Sequence, residues 1–148
     1  MTKKEDQTIQ ELIQTFTQLD KLDWEKKTIE GFKPSEIRVL TCIKQKIKST
    51  CEIKVSEISK HLNVRMPSVT PILNKLEQDG LITRRIDEHD RRVILVSLTA
   101  EGESVADVAL RQLYEIFASL QESIGSEDSQ ELIRILTNVY QFFKEKQN

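Results

Sequence analysis

The stretch Ile82–Gly102, ITRRIDEHDRRVILVSLTAEG, decides the fold. Its two β-prone runs, Ile82–Ile86 and Val93–Leu98, flank a polar tip of Asp87, Glu88, His89, Asp90, Arg91 and Arg92, as a hairpin requires. Just upstream, a helical run from about Met66 to Gln78 places Val69, Ile72, Leu73 and Leu76 on one side. Asp79-Gly80 stops it, because glycine tolerates the positive φ that follows a helix end. A shorter helix carrying Ile58 and Leu62 precedes, and Asn63 can take the left-handed conformation of a tight turn. Helix, turn, helix and charged hairpin is the order of a winged helix-turn-helix.

Further out, Cys51–Val55 is a short β-prone stretch, and Pro34 suits the first turn of a helix burying Ile37, Leu40, Ile43 and Ile47. Lys33 stands where a capping Ser or Thr is expected. Ile9, Leu12, Ile13, Phe16, Leu19 and Leu22 follow the helical period, predicting a first helix that runs on through Trp24 to about Ile29, with Gly31 breaking it. Thr99 is a good N-cap for a long helix through Val105, Val108, Ala109, Leu113, Ile116, Phe117 and Leu120. Gly125-Ser126 separates this from a last helix bearing Leu132, Ile135, Leu136, Val139, Phe142 and Phe143.

The expected class is therefore mainly α with a small β-hairpin wing (α+β). Residues 1–32 form an N-terminal dimerisation helix, 33–98 the winged lobe and 99–148 C-terminal dimerisation helices, in one compact unit. The terminal helices carry many large apolar residues outside the winged lobe. Packing together across a two-fold axis accounts for them, and a monomer in which they cover one another is the alternative.

Composition narrows the function. The chain has 148 residues, 38% of them hydrophobic, enough to bury a core. No apolar run is long enough to span a bilayer, and MTKKEDQTIQEL turns polar and acidic too soon for a secretory signal. Cys42 and Cys51 form no CxxC and have no clustered His, so neither a metal site nor a disulfide framework is expected, and a reducing cytoplasm fits. No phosphate loop or nucleophile constellation suggests an enzyme or a cofactor. The net charge of −2 hides a pattern: residues 33–92 hold thirteen Lys/Arg against eight Asp/Glu, while both flanks are acidic. A basic centre between acidic arms is an electrostatic footprint for a polyanion.

Asp90-Arg91-Arg92, the following β-branched residues, Leu98-Thr99-Ala100-Glu101-Gly102 and the stretch LNKLEQDGLITR (Leu73–Arg84) together resemble the MarR (multiple-antibiotic-resistance regulator) family of winged helix-turn-helix transcription factors. The resemblance covers about residues 30–102, and the terminal helices by order and length. It implies a homodimeric repressor on double-stranded, pseudo-palindromic operator DNA, with recognition helices in major grooves and wing tips in minor grooves. Arg92 matches the family's tip arginine, and Asp90 can hold its guanidinium by a paired hydrogen bond. A narrow minor groove concentrates negative potential, which such an arginine reads. Arg91 becomes a phosphate or second groove contact. Ser68, Thr70 and Asn74 suit base edges, while Arg65, Lys75, Arg84, Arg85, Ser56 and Lys60 suit the backbone.

Bland readings stand beside these. One of Arg84 and Arg85 faces solvent or pairs with an acid, since they alternate in a strand; Lys60 and Lys75 are ordinary solvated charges; Ser68 assists a helix start; Arg92 forms only a surface ion pair. Two positions depart from the family pattern. Pro71 replaces a frequent basic residue, removes one backbone hydrogen bond and leaves a kink open. His89 stands where many wings carry another arginine.

For regulation, the resemblance implies a small aromatic effector or a cysteine switch. Phe16, Trp24, Phe32 and Tyr114 are candidate walls of a ligand cleft, with core packing as the alternative for each. Cys42 lies on an apolar helix and reads as core, whereas Cys51, near Lys48 and Lys54, is the redox candidate. A winged-helix protein–protein module without DNA binding is the competing function, and the charged tip and basic centre weigh against it.

Overall fold

The structure, a computed structural model, describes residues 1–22, 31–46 and 51–148. Trp24, Ile29, Ile47 and Lys48 lie outside the described residues. The described elements are α1 (Lys3–Asp20), α2 (Pro34–Lys46), β1 (Ile53–Lys54), α3 (Val55–Leu62), α4 (Met66–Gln78), β2 (Ile82–Ile86), β3 (Ile94–Leu98), α5 (Ala100–Ile124) and α6 (Ser126–Lys146). They fall into two compact units, Met1–Val105 and Ala106–Asn148, with the division inside α5.

The core of the first unit is apolar residues at the spacings the helical periods predict. Val39, Leu40 and Ile43 of α2, Ile58 of α3, and Val69, Leu73 and Leu76 of α4 are sealed from solvent, with Ile82 and Val96 from the sheet. Each such side chain contributes about 1.5–3 kcal/mol on burial, so this cluster holds the helices and wing together. Pro34 occupies the first turn of α2, where its missing N–H costs nothing.

Two left-handed residues set the chain reversals. Asn63 (φ 54°) ends α3, with the Val64 N–H bonded back to Ser59 O at 3.1 Å. The Ser59 hydroxyl donates to Val64 O and ties the same turn. Gly80 (φ 76°) ends α4, with Leu81 N–H on Leu76 O at 2.9 Å and Gly80 N–H on Glu77 O at 3.1 Å. Both bonds of a Schellman closure are thus present, and the chain is aimed straight into β2.

The wing is a three-stranded antiparallel sheet of order β1-β3-β2. β2 pairs with β3 in the register Ile82↔Leu98 to Ile86↔Ile94, and β1 adds Ile53↔Val96. The pairing of Ile53–Lys54 with the hairpin was not foreseen, because two residues carry no period of their own. β3 begins at Ile94 rather than Val93, since the Val93 N–H turns to Asp90 O at 3.0 Å to close the tip.

β3 leads into α5 through a lock at Thr99. Its N–H donates to Leu81 O (3.0 Å), its hydroxyl donates to Gly80 O (2.6 Å), and that hydroxyl oxygen accepts the Gly102 N–H (3.1 Å). The expected N-cap is therefore also the joint between α5 and the α4–β2 turn. Gly102 is required by contact: a Cβ there would lie 1.9 Å from Leu81 O.

α1 ends at Asp20, earlier than the periodicity predicted. The Leu22 N–H bonds Leu19 O at 3.1 Å, a three-residue closure that tightens the last turn and stops it. Thr2 and Glu5 form a capping box at its start. Neither α1 nor α6 buries a residue, and Leu12, Ile13, Phe16 and Leu19 of α1 are exposed. In the second unit, Ile116, Phe117, Leu132, Ile135, Leu136, Phe142 and Phe143 are exposed as well.

Candidate nucleic-acid interface

At the wing tip, Asp90 organises the loop. Its Oδ1 accepts the backbone N–H of Arg92 (3.0 Å) and Arg92 Nε (3.1 Å), while Oδ2 accepts Arg92 Nη2 (3.1 Å). The Arg92 guanidinium and backbone together hold the Asp90 carboxyl below its ordinary range, with Lys54 adding to the effect. Asp87 N–H to Val93 O (2.9 Å) clamps the loop at its base. The paired hydrogen bond expected from Asp90 is present, yet the Arg92 side chain remains 91% exposed. It is aimed by its neighbour without being covered. Arg91 and His89 are exposed on the same tip.

α4 runs unbroken from Met66 to Gln78 with Pro71 inside it. Pro71 has no N–H to give Pro67 O, but both residues lie on the exposed face, where water can satisfy the carbonyl. Ser68, Thr70 and Asn74 are exposed, as are Arg65 ahead of the helix and Lys75 on it. The start of α4 has no side-chain cap at Arg65. The Thr70 hydroxyl donates to Met66 O at 3.1 Å, so it offers its lone pairs outward. Lys75 pairs with Asp79 at 3.1 Å, one turn away. Ser56 and Lys60 share the exposed face of α3.

Both strand arginines are paired, where alternation alone led us to expect one. Arg84 Nη2 donates to Asn74 Oδ1 (2.7 Å) and Glu77 Oε1 (3.0 Å), and its Nε reaches Glu77 Oε2 at 3.4 Å. The Arg84 guanidinium holds the Glu77 carboxyl below its usual range. On the opposite side of β2, Arg85 Nε donates to Glu52 Oε1 at 2.9 Å, and that carboxylate, with Glu88 and Asp87 beyond, favours the charged form of Arg85. Glu52 and Glu77 were not singled out from the sequence. Glu77 was within reach of pattern reasoning, since the Gly80 turn folds β2 back on the last turn of α4. Glu52 was not, because it lies 33 positions from Arg85.

The other candidates are dispersed. Phe16 lines an open groove on α1 with Thr17, Leu19 and Asp20. Phe32 is half-buried, while Tyr114 belongs to the second unit and is 75% exposed. Cys51 is exposed in a groove lined by Glu52, Lys54, Glu57, Arg85 and Leu95, whereas Cys42 is buried in the core, which pushes its thiol pKa up. Among the described residues no cluster of His, Cys, Asp and Glu could hold a metal ion. Among them, too, no helix is long and apolar enough to cross a membrane.

A helix-turn-helix whose second helix exposes short polar side chains, followed by a hairpin with an aimed arginine, defines a winged helix-turn-helix protein. The MarR family profile matches residues 32–94. The transcriptional repressor MdtR of Bacillus subtilis is 32% identical over 121 residues, covering 80% of this chain and 76% of MdtR. The chain belongs to the MarR family of winged helix-turn-helix transcriptional regulators, which are not enzymes. Among solved structures, FabT of Streptococcus pneumoniae in complex with DNA shares the fold with a TM-score of 0.68 at 22% identity, over 96% of both chains. YusO of Bacillus subtilis matches with a TM-score of 0.62 at 29% identity, over 92% of this chain and 96% of YusO.

Proposed function

We propose that this chain is a homodimeric cytoplasmic repressor that holds operator DNA with α4 in the major groove and the wing in the minor groove, and that a small aromatic effector releases it. The observation that carries the DNA reading is the tip: Arg92 is held at backbone and guanidinium by one carboxylate and is otherwise in solvent. An arginine pre-aimed on a narrow finger loses little entropy on entering a groove, where the potential is most negative. Arg91, Arg65 and Lys60 supply phosphate contacts that set register, and Ser68, Thr70 and Asn74 face base edges. Lys75, Arg84 and Arg85 already have carboxylate partners, so any phosphate contact they make is shared with those partners. MdtR is named a repressor and FabT was solved with DNA, which supports the same reading here.

The dimer rests on the apolar faces of α1, α5 and α6. Exposed apolar faces of this kind mark interaction surfaces, and a second copy offers the matching faces under two-fold symmetry. The effector rests on the family alone.

The test is selection of protein-bound fragments from the source genome, repeated with phenolic compounds present. Enrichment of a palindromic site, lost with a phenol, supports the full reading. Failure to enrich any DNA would favour a protein-interaction module, and enrichment indifferent to every phenol would sink the effector.

A further inference from the structure

Asn74 has two chemically opposite ends, and an isolated amide can turn either one outward. Here its oxygen is engaged. Arg84 Nη2 lies 2.7 Å from Asn74 Oδ1. A guanidinium is a donor only, so turning the amide over would set N–H against N–H at the same distance. Arg84 cannot easily retreat to permit that turn. Its Nη2 and Nε also bond the two Glu77 oxygens, its side chain is only 21% exposed, and its backbone is paired opposite Val96 in the sheet. Glu77 lies three residues after Asn74, on the same side of α4, and its depressed pKa keeps it ionised at neutral pH.

We propose that Arg84 fixes the polarity of Asn74, so that α4 presents chiefly N–H donors to the DNA at this position and selects a base edge that offers acceptors. This rests on the reading that α4 enters the major groove. A free asparagine favours adenine, accepting from N6 and donating to N7 at once. With one lone pair of its oxygen held by the Arg84 cation, Asn74 is the poorer acceptor for adenine N6, whereas its N–H donors are undiminished. Guanine, through O6 and N7, and thymine, through O4, become the favoured partners. The wing base thereby sets the specificity of the recognition helix while touching no base. Arg84 is a positioning residue, and Asn74 the group it positions.

The experiment is selection of full-length protein on a random duplex library, followed by comparison of base preference position by position. The Asn74 position is the one whose preference Asn74→Ala abolishes. Wild type is expected to take guanine or thymine there. Arg84→Met removes the donors while keeping the length of the side chain, and adenine should rise roughly tenfold at that position with the others unchanged. Asn74→Asp keeps an acceptor for Arg84 but turns a second acceptor outward, so preference should move to cytosine or adenine, whose exocyclic amines donate. If Arg84→Met proves unfolded by circular dichroism, Asn74→Asp decides alone, because it retains the clamp. Adenine preferred by wild type, an even loss across all positions in folded Arg84→Met, an unshifted preference in Asn74→Asp, or no base preference changed by Asn74→Ala would each overturn the proposal. A wild-type protein that enriches no DNA overturns the groove reading itself, and a selected site with the wrong base at this position overturns only the polarity.

Discussion

Replacing Gly102 by alanine sets two opposed effects against each other. Helix propensity favours alanine by at most about 1 kcal/mol, and less in a first turn such as this one. Contact opposes it: the new Cβ would lie 1.9 Å from Leu81 O, 2.9 Å from Leu81 C and 3.3 Å from Leu81 Cα. Ordinary carbon–oxygen approach is about 3.3–3.6 Å, so the start of α5 must move away from the α4–β2 turn by more than 1 Å. That movement strains the Thr99 N–H bond to Leu81 O and the Thr99 hydroxyl bond to Gly80 O. Two such bonds are worth about 0.5–1.5 kcal/mol each, and overpacking adds about 1–3 kcal/mol. The net expectation is a loss of about 1–5 kcal/mol after the propensity gain. Urea unfolding followed by circular dichroism, at one protein concentration so that association is held constant, reads it as a lower midpoint. A midpoint equal to or above wild type would show that the close approach at Leu81 does not constrain the joint.

Other expectations follow from the tip, the clamp and the terminal helices. Arg92→Ala should weaken operator binding strongly and reduce the slope of log affinity against log salt by about one contact; unchanged binding at fixed salt would disprove the tip assignment. Asp90 has a depressed pKa in the folded chain, so its grip on Arg92 is fully present above the ordinary aspartate pKa of 3.8 and is lost only as pH falls below that. Carboxyl carbon shifts of Asp90 should therefore stay flat from pH 8 to about 5, and a midpoint above 3.8 would contradict the pairing. Removing residues 126–148 should leave a monomer or an aggregate by sedimentation, and a well-behaved dimer would place the two-fold contact elsewhere.

Much of the fold was legible because its signals are local. Val69, Leu73 and Leu76 announce the inner side of α4 within one element, and Gly80 announces its end. Thr99 was legible as a cap for the same reason. Its second role as an anchor to Gly80 was not, because that contact joins residues 19 apart. The site divides along the same line. Asp90 and Arg92 are two residues apart, so their pairing followed from chemistry and proximity. The partners of Arg84 and Arg85 come from α4 and from the approach to β1, and no single-strand pattern reports which acid the folded sheet brings near. The tightened end of α1 also escaped, since apolar periodicity continues past the point where the backbone bonds change.

The short β1 and the arginine-bearing β2 are the two outer strands of the wing sheet, and together they bear on aggregation. A free sheet edge is a template for another chain. β1 offers only two residues as a template and β2 only five, with the ion-paired Arg84 and Arg85 in its middle. The apolar surface exposed on the terminal helices, not the edges of this short sheet, is then where chance association concentrates.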